Sequence, residues 1–175
     1  MKIKIVQKDN KILRMTAKEV PLREIKGKKI KNILRKMAEA LAGKKEGVAL
    51  AAPQINEPLR IFIVDGNIWL LKEKVFAPEN QKEPLPKKPP VVFINPVIKK
   101  ISKKKQIVYE GCLSVERIYG TLKRPEKLTI EALDENGKKF AIGTAGILAQ
   151  IIQHEMDHLS GILFIDKAIK LEKVI

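Results

Sequence analysis

Residues 146–161 read GILAQIIQHEMDHLSG, and both histidines of the chain, His154 and His158, lie in this stretch. On a helix, a separation of four puts both imidazoles on one face, within reach of a single metal ion. Glu155 follows the first histidine directly. That offset sets its carboxylate beside the ion, where it can accept a proton from a water molecule. Ile147 and Ile151 share the histidine face, while Leu148, Ile152 and Leu159 line an adjacent one. The stretch therefore predicts a largely buried helix with its metal in a dry setting. The competing reading is a buried helix whose polar residues fall at this spacing by chance.

With 175 residues, the chain is long enough for one domain with a proper core and too short for two comfortable ones, so a single domain over 1–175 is expected. Its apolar runs are far shorter than a membrane span, and MKIKIVQKDN lacks the uninterrupted apolar core of a signal peptide. A cytoplasmic location follows as the expectation. One cysteine, Cys112, excludes an internal disulfide framework. Beside a metal motif in a reducing compartment it reads as a ligand; the bland alternative is an inert core thiol.

The formal charge of +15 is not needed by a metal site. Lysines spread through 2–45, 72–88 and 99–105 would favour loose attraction to polyanions over sequence-specific reading of nucleic acid. Aromatic residues, at 5%, are too few for a base-stacking platform. A solvated lysine surface, as in heat-adapted proteins, explains the charge equally well.

From the start of the chain, alternation in KIKIV predicts an edge strand within 1–8, and 9–26 is irregular. In KKIKNILRKMAEALAG, Ile30, Ile33, Leu34, Met37, Ala38 and Leu41 recur at helical spacing, and Gly43 ends the helix. EGVALAAPQ, 46–54, breaks both periods: small residues permit close approach of backbone or ligand, proline stiffens the exit, and Gln54 brings one amide. A plain packing loop would look the same. LRIFIVD, 59–65, is a strand. Five of the ten prolines fall within 66–90, which reads as a Pro/Lys-rich surface insertion with Trp69, Leu70 and Leu71 docking one end. Strands follow at VVFIN, QIVYE, KLTIEAL and KKFAI, the last two joined by the turn DENG. Thr144 is placed to cap the metal helix and Gly161 to close it.

His154, His158 and Cys112 offer two nitrogens and one sulfur, which leaves a fourth tetrahedral position open, as in a catalytic site. Hydroxide produced there would attack a carbonyl, and the oxyanion would need donors in place beforehand. The Gln54 amide and a backbone N–H near Cys112 are the available ones.

Three motifs, GVALAAPQ at 47–54, EGCLS at 110–114 and QHEMDH at 153–158, together with LRIFIVD, FINP, RPEKLTIEALDENGK and GILFID, resemble the peptide deformylases. The resemblance implies an α+β fold, with antiparallel sheets around a central HExxH helix, and removal of the formyl group from the N-terminal methionine of new polypeptides. It implies that Cys112, His154 and His158 bind one divalent ion, Fe(II) before Zn(II), Ni(II) or Co(II). Glu155 would be the general base and then the proton donor, with Gln54 and the Leu113 N–H holding the oxyanion. Gly47, Val48, Ala49 and Leu50 would pair with substrate as an added strand. Ile147 and Ile151 would line the methionine pocket, with Glu110 and Gly111 also at the substrate. A pair between Glu110 and Arg124 would fix the cysteine loop.

Two features depart from the family pattern: Ala49 replaces the usual glycine, and Val115, Glu116 and Arg117 replace a proline-containing continuation. Two other readings compete. One is an HExxH metallopeptidase with Asp166 or Glu172 as third ligand; the other is a ribosome- or RNA-associated basic protein with altered or lost activity.

Overall fold

The computed structural model describes residues 3–70 and 88–174. Most of the expected insertion over 66–90, with the docking of the Trp69, Leu70 and Leu71 side chains, lies outside the described residues. Its start is a short helix, α2 (Gly66–Leu70), whose first turn is capped by Asp65: Oδ1 accepts from the N–H groups of Asn67 and Ile68.

Strands β1 (Ala49–Ala51), β2 (Ile61–Val64), β3 (Val91–Ile101), β6 (Lys127–Leu133) and β7 (Lys139–Ala145) form one antiparallel sheet in the order β1-β2-β3-β6-β7. A second antiparallel sheet is made of β4 (Lys105–Cys112), β5 (Val115–Pro125) and β8 (Lys170–Lys173), with β5 in the middle. Two long helices complete the frame, α1 (Lys28–Ala42) and α3 (Gly146–Leu159).

The uninterrupted apolar run of β2 follows from its having a core on each face. Ile61 and Ile63 pack with Ile30, Ile33, Met37 and Leu41 of α1, the helical stripe seen in the sequence. Phe62 and Val64 point the other way, into a cluster with Ala149, Ile151, Ile152 and Leu159 of α3. Strand alternation thus sends successive side chains to opposite layers. Rings of Phe62 and Phe93 stack with centroids 4.4 Å apart between sheet and helix. A third cluster, of Leu13, Val115, Leu122, Leu163 and Phe164, lies under the smaller sheet. The helix bearing the histidines is thereby held against β1, β5, β6 and β7.

Several local expectations change. Residues 3–7 form no strand; Val6 N–H donates to the Gln54 carbonyl and alternation alone supplied no pairing partner. Strand β3 runs on through Pro96, which is tolerated at an irregularity in the pairing with β6 between Ile94 and Val97. Thr144 does not cap α3. It belongs to β7, its Oγ1 is buried without a hydrogen-bond partner, and the cap position is Ala145. Gly161 does follow the helix end in the left-handed region, φ 73°, where a β-carbon would press on the Arg14 carbonyl.

Asn95 also has positive φ, 50°, at the irregular point of β3. Its Oδ1 accepts from Val20 N–H and its Nδ2 donates to the Val20 carbonyl, each at 2.8 Å, which ties the N-terminal segment to the sheet. Asn95→Ala is expected to cost about 2–4 kcal/mol through two lost bonds and left-handed strain. Asn95→Gly should recover only the backbone share. Urea unfolding measures both, and a loss below about 1 kcal/mol for alanine would show that water replaces the amide.

Candidate metal centre

Helix α3 supplies His154, Glu155 and His158, and the β4–β5 hairpin supplies Cys112. The hairpin pairs regularly as far as Gly111 with Tyr119, after which Cys112 pairs with Val115. Glu116, Arg117 and Ile118 therefore bulge from β5, with Arg117 at φ 60°. A bulge of this kind bends the strand and re-aims side chains. Here it turns the cysteine toward the helix: Cys112 Sγ lies 3.2 Å from His158 Nε2.

One ligand atom from each of Cys112, His154 and His158 falls within 4.8 Å of the others. His154 Nδ1 meets the Glu110 carboxylate at 2.8 Å; a carboxylate only accepts, so Nδ1 carries the proton and Nε2 is left for a cation. Burial keeps the His158 imidazole well below its ordinary pKa, hence neutral with a lone pair to give. For His154 burial acts in the same direction, but its contacts with Cys112 and Glu110 outweigh burial and raise it. A cation would take the place of that proton. Two imidazoles and a thiol at this separation fit a single divalent ion.

Glu155 is 3% exposed, and one of its carboxylate oxygens is buried without a partner among the described residues. Burial pushes its carboxyl up to about 7; His154 pulls downward and Glu110 adds to the rise. Such a group takes and returns protons near neutrality. Glu110 behaves oppositely. Burial raises it as well, but hydrogen bonds from Arg124 and His154 prevail and hold it at about 2.

The expected pair of Glu110 with Arg124 is present and is part of something larger. Arg124 Nε and Nη2 donate to the two Glu110 oxygens at 2.8 and 2.9 Å, and Nη1 donates to Asp157 at 2.6 Å. Lys167 Nζ closes the row on the other Asp157 oxygen. Asp157 was not singled out by the motif, although a carboxylate on a buried helix was itself the signal.

Gln54 is oriented through both ends of its amide. Oε1 accepts from Ala51 N–H at 2.8 Å, so Nε2 faces the site, 3.1 Å from Ser114 Oγ and 3.6 Å from Cys112 Sγ. Ala51 and Ser114 lie within the motifs GVALAAPQ and EGCLS, but neither was assigned a role from the sequence.

A cleft of about 530 Å³ runs past these groups. Gly47, Val48, Ala49, Glu110, Gly111, Leu113, Ile147 and Ile151 all line it, as expected of a substrate site. Leu50 does not: its side chain is fully buried in the core under α1, and its place in β1 is opposite Ile63. Ala49 lies in the same strand opposite Val64 and has no positive φ, so the methyl in place of glycine creates no backbone strain. Asp166 and Glu172 are away from the centre, paired with Arg14 and Lys170. The donor atom that lies with those of the two histidines is that of Cys112, upstream of the helix, whereas the metallopeptidase reading expects a downstream carboxylate.

A family model described as polypeptide deformylase matches residues 2–174. The chain belongs to that family. The peptide deformylase of Microchaete diplosiphon is 35% identical over 158 residues, 90% of this chain and 74% of its own length. Among solved structures, the peptide deformylase of Thermotoga maritima superposes with a TM-score of 0.78 at 28% identity, covering 97% of this chain and 99% of that one. A class I type b peptide deformylase from Acinetobacter baumannii, solved with Met-Ala-Ser bound, gives 0.79 at 28% identity over 95% and 98%. Polypeptide deformylases are metal-dependent hydrolases that release the formyl group from N-formylmethionyl peptides, and the α+β fold of antiparallel sheets is theirs.

Proposed function

We propose that this chain forms one catalytic unit that removes the formyl group from the N-terminal methionine of new polypeptides, with Cys112, His154 and His158 holding one divalent ion. The observation that carries this reading is the cluster of three donor atoms within 4.8 Å of one another, with one Glu155 carboxylate oxygen, on the neighbouring helix position, unpartnered among the described residues. When bound, the ion supplies Lewis acidity, drawing electrons from the formyl carbonyl and lowering the pKa of a water. Glu155 takes the proton of that water as its oxygen adds to the formyl carbon. Gln54 Nε2 and the Leu113 N–H donate to the oxyanion. As the C–N bond breaks, Glu155 passes its proton to the departing amine and formate leaves. Backbone of Gly47–Leu50 pairs with the peptide, and Ile147 and Ile151 flank the methionine side chain. Fe(II) is the proposed ion, on the ground of the family resemblance, and Zn(II), Ni(II) or Co(II) satisfy the same donors.

Formate release from N-formyl-Met-Ala-Ser by protein prepared without oxygen and loaded with Fe(II) or Ni(II) tests the reading. Protein that binds one metal through Cys112 yet releases no formate would contradict it.

The proposed setting is the cytoplasm. No described helix is long and apolar enough to cross a membrane. Net charge of +15 supports weak attraction to ribosomal RNA where new chains emerge. The protein is expected to co-sediment with ribosomes at low salt and to be released steeply as salt rises, as counterion release requires. Absence from the ribosome pellet at low salt would end this part of the reading.

A further inference from the structure

The chain has only two tyrosines, and they stack on one another at the open end of the catalytic cleft. Tyr109 of β4 and Tyr119 of β5 have centroids 5.6 Å apart and planes within 3° of parallel, and both line the cleft that contains Cys112, His154 and Glu155. Tyr109 is 54% exposed, so a large face of the pair is open to whatever occupies the cleft.

Their placement is built in. Tyr119 sits opposite Gly111, the residue directly before the ligand cysteine, and a β-carbon at Gly111 would lie only 2.7 Å from its ring. Glycine there leaves room for the ring to lie across the strand. Tyr109 is anchored at both ends: Gln150 Nε2 of α3 donates to its carbonyl at 3.0 Å, and its hydroxyl donates to Glu172 of β8 at 3.3 Å. None of these contacts serves the proton transfers assigned to Glu155 or the oxyanion contacts of Gln54.

Strand rise is about 3.3 Å per residue, so Tyr109 stands about 10 Å along β4 from Cys112, and Tyr119 covers the space between. An extended peptide whose formyl carbon is at the metal reaches that far with the second and third residues. We propose that the Tyr109–Tyr119 pair selects the residues that follow methionine, favouring an aromatic side chain at the second or third position by stacking. The inference rests on the deformylase reading for the identity of the peptide, and on the stacked pair for the preference.

The test compares kcat/KM for N-formyl-Met-Phe-Ser and N-formyl-Met-Ala-Phe with that for N-formyl-Met-Ala-Ser, using metal-loaded protein. At least one aromatic peptide should be favoured about threefold to tenfold, the range of one aromatic pair, and the gain should appear in KM. In Tyr119→Ala and in Tyr109→Ala the ratio should fall to about one, whereas Tyr119→Phe should keep it. Because each ratio is internal to one protein, partial loss of folding does not imitate the result. Equal kcat/KM for all three peptides, or a preference that survives both alanine variants, overturns the proposal. Calorimetric binding of the unformylated peptides Met-Ala-Phe and Met-Ala-Ser reads the same preference without turnover, so it separates failure of the shelf from failure of the deformylase reading.

Discussion

Glu155→Gln is expected to release formate from N-formyl-Met-Ala-Ser at least about a hundredfold more slowly than the parent protein, while binding the same amount of Fe(II) or Ni(II). Glutamine preserves the size of the side chain and the neutral half of its behaviour, but it cannot accept the proton that water must lose. The buried setting that brings the carboxyl up to about 7 makes it effective in both directions, first as acceptor and then as donor to the amine. Of the carboxylates that line the cleft among the described residues, Glu155 is the one with a buried oxygen that has no hydrogen-bond partner. Glu110, the nearest alternative, is committed to Arg124 and His154 and is held at about 2. Stopped-time formate assays on metal-matched samples decide the matter. A variant that keeps more than about a tenth of the parent rate would remove Glu155 from the role of base.

The second large effect is expected from Arg124→Leu, which should lower stability by about 3–5 kcal/mol. The guanidinium is almost completely buried and serves two carboxylates, so its loss leaves Glu110 and Asp157 charged in a poorly solvated place. Arg124→Lys should do little better. One ammonium cannot reproduce a fork in which two nitrogens meet Glu110 and a third meets Asp157. Because Glu110 also orients His154, metal affinity should fall about tenfold to a hundredfold alongside the stability. Adding Glu110→Gln to Arg124→Leu should restore part of the stability by removing an unpaired charge, and leave the metal affinity low. Urea unfolding and competition with a chelator report the two effects separately. Equal recovery of both would mean that Glu110 acts on the fold alone.

What could be read in advance follows how local the information is. His154, Glu155 and His158 share one turn of helix, and the α1 stripe repeats within fifteen residues, so spacing alone exposed both. The run IFIV was legible as a strand for the same reason, although its two-sided burial appears only when both helices are in place. Strand β5 was not anticipated. Its bulge at Glu116–Ile118 breaks the alternation where the pairing is decided, and its pattern makes sense only opposite β4 and β8. Residues 3–7 erred the other way, with clean alternation but, among the described residues, no strand to pair with. Thr144 looked like a cap because it precedes the helix, but β7 holds that residue as far as the last strand position. In the site, Ala51, three residues before Gln54, and Ser114, sixty residues after it, orient Gln54 by backbone and hydroxyl contacts that leave no mark on composition.

The donors of the metal centre are also separated in time. Cys112 and His158 are 46 positions apart, so the hairpin that carries the cysteine is synthesised before the helix that carries the histidines. During that interval the thiol lacks both imidazole partners. The strand that backs the hairpin, β8, is synthesised later still. Each newly made molecule therefore passes through a stage in which the three donors are not yet together. Any ion that these three donors take together has to arrive after the hairpin and the helix have both been made and packed against one another.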